Sequence, residues 1–178
     1  MKDIIKNTVL MTATCLLASG LLAAVFQITK PTIEENYRRR EREALLEVAP
    51  GAETFEKLET DGPQIWIGKD TDDNEVCRVI RTSERGYSST IIMLISVGPD
   101  DRCISAAILQ QNETPGLGTN IATDKFLGQF AGLSADEAAL RNDGGEIDAI
   151  TAATISSRAA VKAARTGILI LSTREETE

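Results

Sequence analysis

The sequence predicts an α+β domain, an antiparallel sheet with packed helices, preceded by one N-terminal transmembrane helix. Three observations predict it. Residues 7–29 carry no charged side chain, four Val- and Ile-rich segments between residues 65 and 109 are joined by short polar turns, and the apolar helical segments come after them. Strands first and helices later place the helices on a single antiparallel sheet rather than between parallel strands. At 178 residues the chain suffices for one ordinary domain and not for two catalytic ones.

The uncharged run from Asn7 to Thr29 is dominated by Val, Leu, Ala and Phe. At about 1.5 Å per residue it crosses a hydrocarbon core of about 30 Å. Lys2 and Lys6 precede it, as they would in a signal peptide, but signal cores run about 7 to 15 residues and this run is longer. Cys15 lies in mid-run without a lipobox, so the segment reads as an uncleaved anchor. Lys30, Arg38, Arg39, Arg40 and Arg42 follow it and outnumber the two lysines before it, which by positive-inside counting puts the following domain in the cytoplasm. Those arginines are interleaved with Glu34, Glu35, Glu41, Glu43 and Glu47 in a helical pattern. Acidic neighbours contribute little to that rule, so charge leaves the orientation open.

After Pro31 the spacing predicts a charged stalk helix, capped by Thr32 with Glu35 at the capping-box position and ended by Pro50-Gly51. Strands are predicted at Ile65–Ile67, Glu75–Thr82, Tyr87–Val97 and Arg102–Leu109, separated by turns rich in Asp, Gly, Ser and Pro. Helices follow near Asp124–Phe130, after Ser134 with Glu137 as its capping partner, and from about Ser156 to Leu171. The resulting division is 1–6 as a cytoplasmic N-terminus, 7–29 as anchor, 30–50 as linker helix, 51–173 as the folded domain and 174–178 as a frayed tail.

Composition excludes several functions. The net charge of −8 argues against nucleic acid, which needs clustered Lys and Arg. With 42% hydrophobic and 26% charged residues the chain has a globular balance, not a disordered one. It contains no His, which removes the commonest general base, the commonest zinc ligand and every His-based triad. The three cysteines have no metal spacing; Cys77 and Cys103 are either buried free thiols or, in an oxidising compartment, a disulfide. No catalytic or metal-ligating set emerges. Trp66 and Tyr87 read as core aromatics.

Two loops carry unusual chemistry. In Glu113-Thr114-Pro115-Gly116-Leu117-Gly118, proline fixes one dihedral and two glycines permit close backbone approach to something flat; alone, this is an ordinary turn. In Asp148-Ala149-Ile150-Thr151-Ala152-Ala153-Thr154 a small-residue turn opens into the last helix. Alone, Thr154 or Ser156 is its N-cap. The same position offers the Thr154 hydroxyl to a phosphate at the positive end of a helix.

In this order behind one anchor, the two motifs resemble the flavin-binding domain of the G subunit of Rnf-type ion-translocating electron transport complexes. The C subunit of the sodium-pumping NADH:quinone oxidoreductase is a relative with a longer soluble domain, so the length favours the G type. Gly86-Tyr87 and Ser156-Ser157-Arg158-Ala159 extend the likeness over nearly the whole chain. The resemblance implies a membrane-anchored redox subunit, not catalytic alone, that relays electrons through covalent FMN in an ion-translocating ferredoxin:NAD oxidoreductase complex. It implies that a flavin transferase esterifies Thr154 to the FMN phosphate, with Asp148, Thr151, Ala152 and Ala153 in the recognised motif and Glu113, Thr114, Leu117 and Gly118 along the flavin ring. It also implies partner subunits in the cytoplasmic (inner) membrane and a single-pass chain whose C-terminal domain faces the periplasm or cell exterior. The family has Gly where this chain has Ala152, a departure that matters if φ there is positive. A cofactor-free membrane-anchored assembly or interaction module is the alternative of a different class.

Overall fold

A computed structural model describes residues 1–60 and 62–173; the tail expected at 174–178 lies outside them. Contacts divide the chain into two units, Met1–Arg40 and Glu41–Glu178. The first unit is helical from Lys2 onward, as part of α1 (Lys2–Val48). It holds an 18-residue window of mean hydropathy 2.2, none of it buried within the protein. A core helix of a soluble domain would bury such a stripe, whereas here Leu10, Leu17, Leu22 and Phe26 are all more than half exposed. The helix does not restart after Pro31. Pro31 removes only its own bond to the carbonyl four residues back, and the helix continues through it, so Thr32 is an interior residue and not a cap.

The second unit is built on a five-stranded antiparallel meander in the order β1-β2-β3-β4-β5, with β1 Thr54–Leu58, β2 Ile65–Lys69, β3 Glu75–Arg85, β4 Thr90–Val97 and β5 Cys103–Gln110. β1 escapes the sequence reading because it is a short edge strand. Only Phe55 and Leu58 are apolar in it, and Glu56 pairs with Lys69 at 3.0 Å, which discourages edge-to-edge pairing. β4 starts at Thr90 rather than Tyr87 because the N–H groups of Tyr87, Ser88 and Ser89 bond to the Glu113 carboxylate and leave the ladder.

Alternation along the strands divides the core into two layers. Ile91, Met93, Ile95 and Val97 face one way, into a cluster with Phe130, Leu140, Ile147 and the final helix. Val79, Leu94 and Ala107 face the other way and pack with Ala44, Leu45 and Val48 at the end of α1. Cys77 and Cys103 belong to these two opposite clusters and are free thiols, so no disulfide joins them. Burial pushes the Cys103 thiol up to about 12, which leaves it inert.

Beyond β5 the chain forms a 3-10 turn (Gly118–Ala122), the short α2 (Asp124–Leu127), two further 3-10 turns and α3 (Thr154–Ser172). The helix expected after Ser134 is absent. The Ser134–Glu137 capping contacts exist at 2.9 and 3.0 Å, but Glu137 also binds Arg102 at 2.9 Å, and Leu140 enters a bridge with Ile147 instead of a helical turn. α3 lies on the sheet through small residues. A Cβ on Gly167 would come within 3.0 to 3.2 Å of Ile80, Thr82 and Ile95.

Its C-terminal end is held by the buried Arg78, which donates to the Leu171 carbonyl at 3.0 Å and pairs with Glu75 at 3.2 Å. Arg78→Met should lower stability by about 2 kcal/mol, because a charge-assisted cap is lost and its acceptors remain partly buried. Thermal unfolding in detergent measures this, and an unchanged midpoint would refute the capping role.

Candidate functional site

Three segments far apart in sequence converge at the N-terminus of α3, and Glu113 joins them. It is 4% exposed. Its carboxylate accepts from Tyr87 N and Ser88 N at 3.0 Å, Ser89 N at 2.9 Å, Ser89 Oγ at 3.2 Å and Ser156 Oγ at 2.6 Å. Room for the carboxylate comes from two glycines. A Cβ on Gly86 would stand 2.7 Å from Glu113 Oε1, and one on Gly118 would stand 2.7 Å from Glu113 Cβ and 2.8 Å from Ser156 Oγ. Gly118 is therefore needed for close approach, whereas Gly116, at φ 74° with open space around it, is the turn glycine.

Burial alone would raise the Glu113 pKa, but the hydrogen bonds from Ser156, Ser89, Ser88 and Tyr87 outweigh it and hold the carboxyl below its ordinary value of 4.5. The stability this contributes is fully present above pH 4.5 and is lost as pH falls through the lowered pKa. The clamp around Glu113 should therefore hold at neutral and mildly acidic pH. Amide exchange at Tyr87–Ser89 should stay slow down to pH 5 and quicken, after correction for intrinsic rates, only well below 4.5; loss of protection near pH 6 would contradict the ionised state.

The second motif forms the other wall. Asp148 is ion-paired with Arg141 at 2.8 Å, which lowers its pKa, and its N–H bonds to Gln129 Oε1 at 2.7 Å. Ile150 N donates to Ser157 Oγ, and Ser157 N and Oγ both donate to Ala153 O, all at 3.0 Å. Neither Thr154 nor Ser156 is a cap, since Ala153 occupies the N-cap position without a side-chain bond. Ser156 Oγ is committed to Glu113, and the exposed Thr154 hydroxyl has no hydrogen-bond partner among the described residues. The first bond back into α3 comes from Ser157, so the N–H groups of Thr154, Ile155 and Ser156 have no carbonyl one turn earlier.

Ala152 adopts φ 62°, the left-handed region. For an alanine this costs about 1–2 kcal/mol, whereas glycine there would lose about 0.4–1 kcal/mol more to unfolded-state entropy. Ala152→Gly should thus stabilise the domain by about 0.5–1 kcal/mol. A lower thermal midpoint would show that the strain is relieved elsewhere.

Between the two motifs is an open cleft of about 560 Å³, within the usual range for small-molecule sites. Thr114, Leu117, Gly118, Ala152, Ala153 and Thr154 line it as a group, joined by Tyr87, Ile155 and Ser156, which sequence reasoning did not assign. Tyr87 read as core because it neighbours a strand, yet it is 67% exposed. Glu113 stands behind these walls rather than among them. Asp148 and Thr151 lie on the far side of the turn, where they border a separate cleft with Lys125, Phe126 and Gln129. A larger opening is lined by Lys57 and Leu58 of β1 together with Glu59, Thr60, Gly62 and Gln64, and receives neither motif.

The model of the FMN-binding domain family matches residues 86–168, which contain every wall of the cleft, and that of the RnfG N-terminal region matches residues 1–48. The G subunit of the proton-translocating ferredoxin:NAD(+) oxidoreductase complex of Clostridium ljungdahlii is 30% identical over 89% of this chain and 86% of its own length. The G subunit of the ion-translocating oxidoreductase complex of Methanosarcina acetivorans is 32% identical over 98% of this chain and 97% of its own. The chain belongs to the G-subunit family of ion-translocating oxidoreductase complexes. The C subunit of the Na(+)-translocating NADH-quinone reductase of Parabacteroides distasonis shares the fold, with a TM-score of 0.60 and 15% identity over 78% of this chain and 92% of that one.

The residues present fit an FMN, which needs a place for a flat ring and a place for a phosphate. Here the Leu117, Gly118 and Tyr87 walls leave an open slot, and Thr154, the first residue of α3, lies on the cleft wall at a helix start without a side-chain cap. The start of α3 lacks a side-chain cap, which leaves donors there of the kind an anion takes up.

Proposed function

We propose that this protein carries FMN covalently, as a phosphoester on Thr154, and relays electrons within a membrane-embedded ion-translocating ferredoxin:NAD oxidoreductase. The observation that carries the proposal is the Thr154 hydroxyl. It is exposed, without a hydrogen bond among the described residues, and belongs to the first residue of a 19-residue helix whose positive end has no side-chain cap and bounds the cleft. A flavin transferase would join Thr154 Oγ to the phosphorus of an FMN moiety supplied as a phosphoanhydride: the new O–P bond forms as the anhydride P–O bond breaks, the hydroxyl proton is lost and the second phosphate group leaves. The small side chains of Ala152 and Ala153 leave room for that enzyme to approach.

Each part of the cleft has a task. The α3 N-terminus would hold the phosphate's remaining negative charge. Leu117 and Tyr87 would exclude water from one side of the ring, and the Gly118 backbone would let the ring lie close. Bound FMN supplies one- and two-electron transfer, while the protein holds it in place. The Asp148–Arg141 pair fixes the turn from its far side, which places Asp148 and Thr151 where a transferase could read them without entering the cleft.

We place residues 7–29 as the anchor and the domain from residue 51 outside the cytoplasm. A covalent tether fits that side, where no free FMN pool would replace a lost cofactor. The test of attachment is a denaturing gel of the full chain made with an active transferase. A band fluorescent after SDS is expected, and a dark band would overturn the covalent reading. A reporter fused after Glu178 should work only outside the cytoplasm.

A further inference from the structure

Glu113 is a buried carboxylate held by neutral donors. Among the described residues no Lys or Arg pairs with it, and its carboxylate is held only by three backbone N–H groups and two hydroxyls. Its own segment is tied to the same loop, because Asn112 N donates to Ser89 Oγ at 2.7 Å, and Glu113 N is held by Gln111 Oε1 at 2.7 Å. Three residues that line the cleft, Tyr87, Gly118 and Ser156, each touch or bond this one side chain. Neutral donors stabilise a carboxylate but do not cancel its charge.

We propose that Glu113 is a positioning residue for the bound flavin: it locks the Tyr87, Gly118 and Ser156 walls into one cleft, and its unpaired negative charge behind those walls holds the flavin's reduction potential down. This rests on the FMN reading above. Reduction adds electron density to the ring, and a fixed negative charge close behind a low-dielectric wall opposes that addition. The Ser156 hydroxyl, at 2.6 Å, is the shortest bond to the carboxylate and withdraws part of its charge. Removing the charge and removing that hydroxyl should therefore move the potential in opposite directions, which a purely structural role would not do.

The experiment compares the full-length wild type with Glu113→Gln and Ser156→Ala. In flavin-free protein, amide exchange at Tyr87–Ser89 should quicken roughly tenfold or more in Glu113→Gln, since bonds to a charged acceptor are weakened. In flavin-loaded protein, a dye-mediated redox titration should give a more positive potential for Glu113→Gln and a more negative one for Ser156→Ala. An unchanged or lowered potential in Glu113→Gln, or upward shifts in both variants, would overturn the proposal, as would unaltered exchange at residues 87–89. If Glu113→Gln does not fold, Ser156→Ala decides, and an upward or absent shift there refutes the charge role. A wild type that stays colourless with active transferase overturns the FMN reading and with it the potential arm, while the exchange arm still judges the clamp.

Discussion

Thr154→Ala, produced with an active flavin transferase, is expected to lose all covalent flavin and to keep its fold. Loss is complete because alanine has no oxygen to esterify, and the alternative acceptor Thr151 borders a different cleft on the other side of the turn. The fold is kept because Thr154 is exposed, makes no hydrogen bond among the described residues and does not cap α3. Its removal should change stability by no more than about 0.5 kcal/mol. A helix cap would instead cost about 1 kcal/mol. In-gel fluorescence and thermal unfolding together read both halves, and Thr154→Ser should restore the fluorescence. A fluorescent Thr154→Ala band would move the attachment to another residue.

Gly118→Ala should have the largest effect on the cleft itself. The added Cβ would stand at 2.7 Å from Glu113 Cβ and 2.8 Å from Ser156 Oγ, closer than carbon and oxygen tolerate. One of them must move, and either movement pulls on the carboxylate that holds the Tyr87 loop. We expect a loss of about 1–3 kcal/mol, as for overpacking in a core, and a domain that is poorly flavinylated. Gly116→Ala separates packing from backbone strain. It meets open space at φ 74°, so it should cost about 1 kcal/mol of strain and leave attachment intact. Equal flavinylation of the two variants would show that Gly118 is not a packing glycine.

Much of the candidate cleft was legible in the sequence because its walls are local segments. Thr154 precedes an apolar helical run, and its position at the first turn of α3 follows from that spacing. The Glu113–Gly118 loop follows a strand and ends the sheet, as its Pro-Gly content indicated. What sequence could not show were the contacts that cross long distances along the chain. Glu113 meets Ser89 and Ser156, which are 24 and 43 positions away, and nothing in the loop distinguishes a buried carboxylate from one lining a ring. The turn at 148–154 reads as one motif, yet it presents Asp148 and Thr151 to one cleft and Thr154 to the other.

The strands were found where β-branched residues alternate, and β1 was missed because an edge strand buries little. The segment after Ser134 has helix-start chemistry and no helix, because Arg102 and the Leu140–Ile147 bridge use the same residues. Pro31 illustrates the reverse case: a helix breaker in soluble surroundings is accommodated inside a long α1. For Ala152 the sequence posed the question and the backbone answered it, since φ there is 62°, in the left-handed region that favours glycine.

Fragmentation mass spectrometry of the peptide that spans Asp148 to Arg158, taken from full-length protein made with the transferase, decides whether Thr154 carries the flavin. This peptide should carry the added mass of FMN less one water, assigned by fragment ions to Thr154. An unmodified peptide, or the same added mass on Thr151, Ser156 or Ser157, would contradict it.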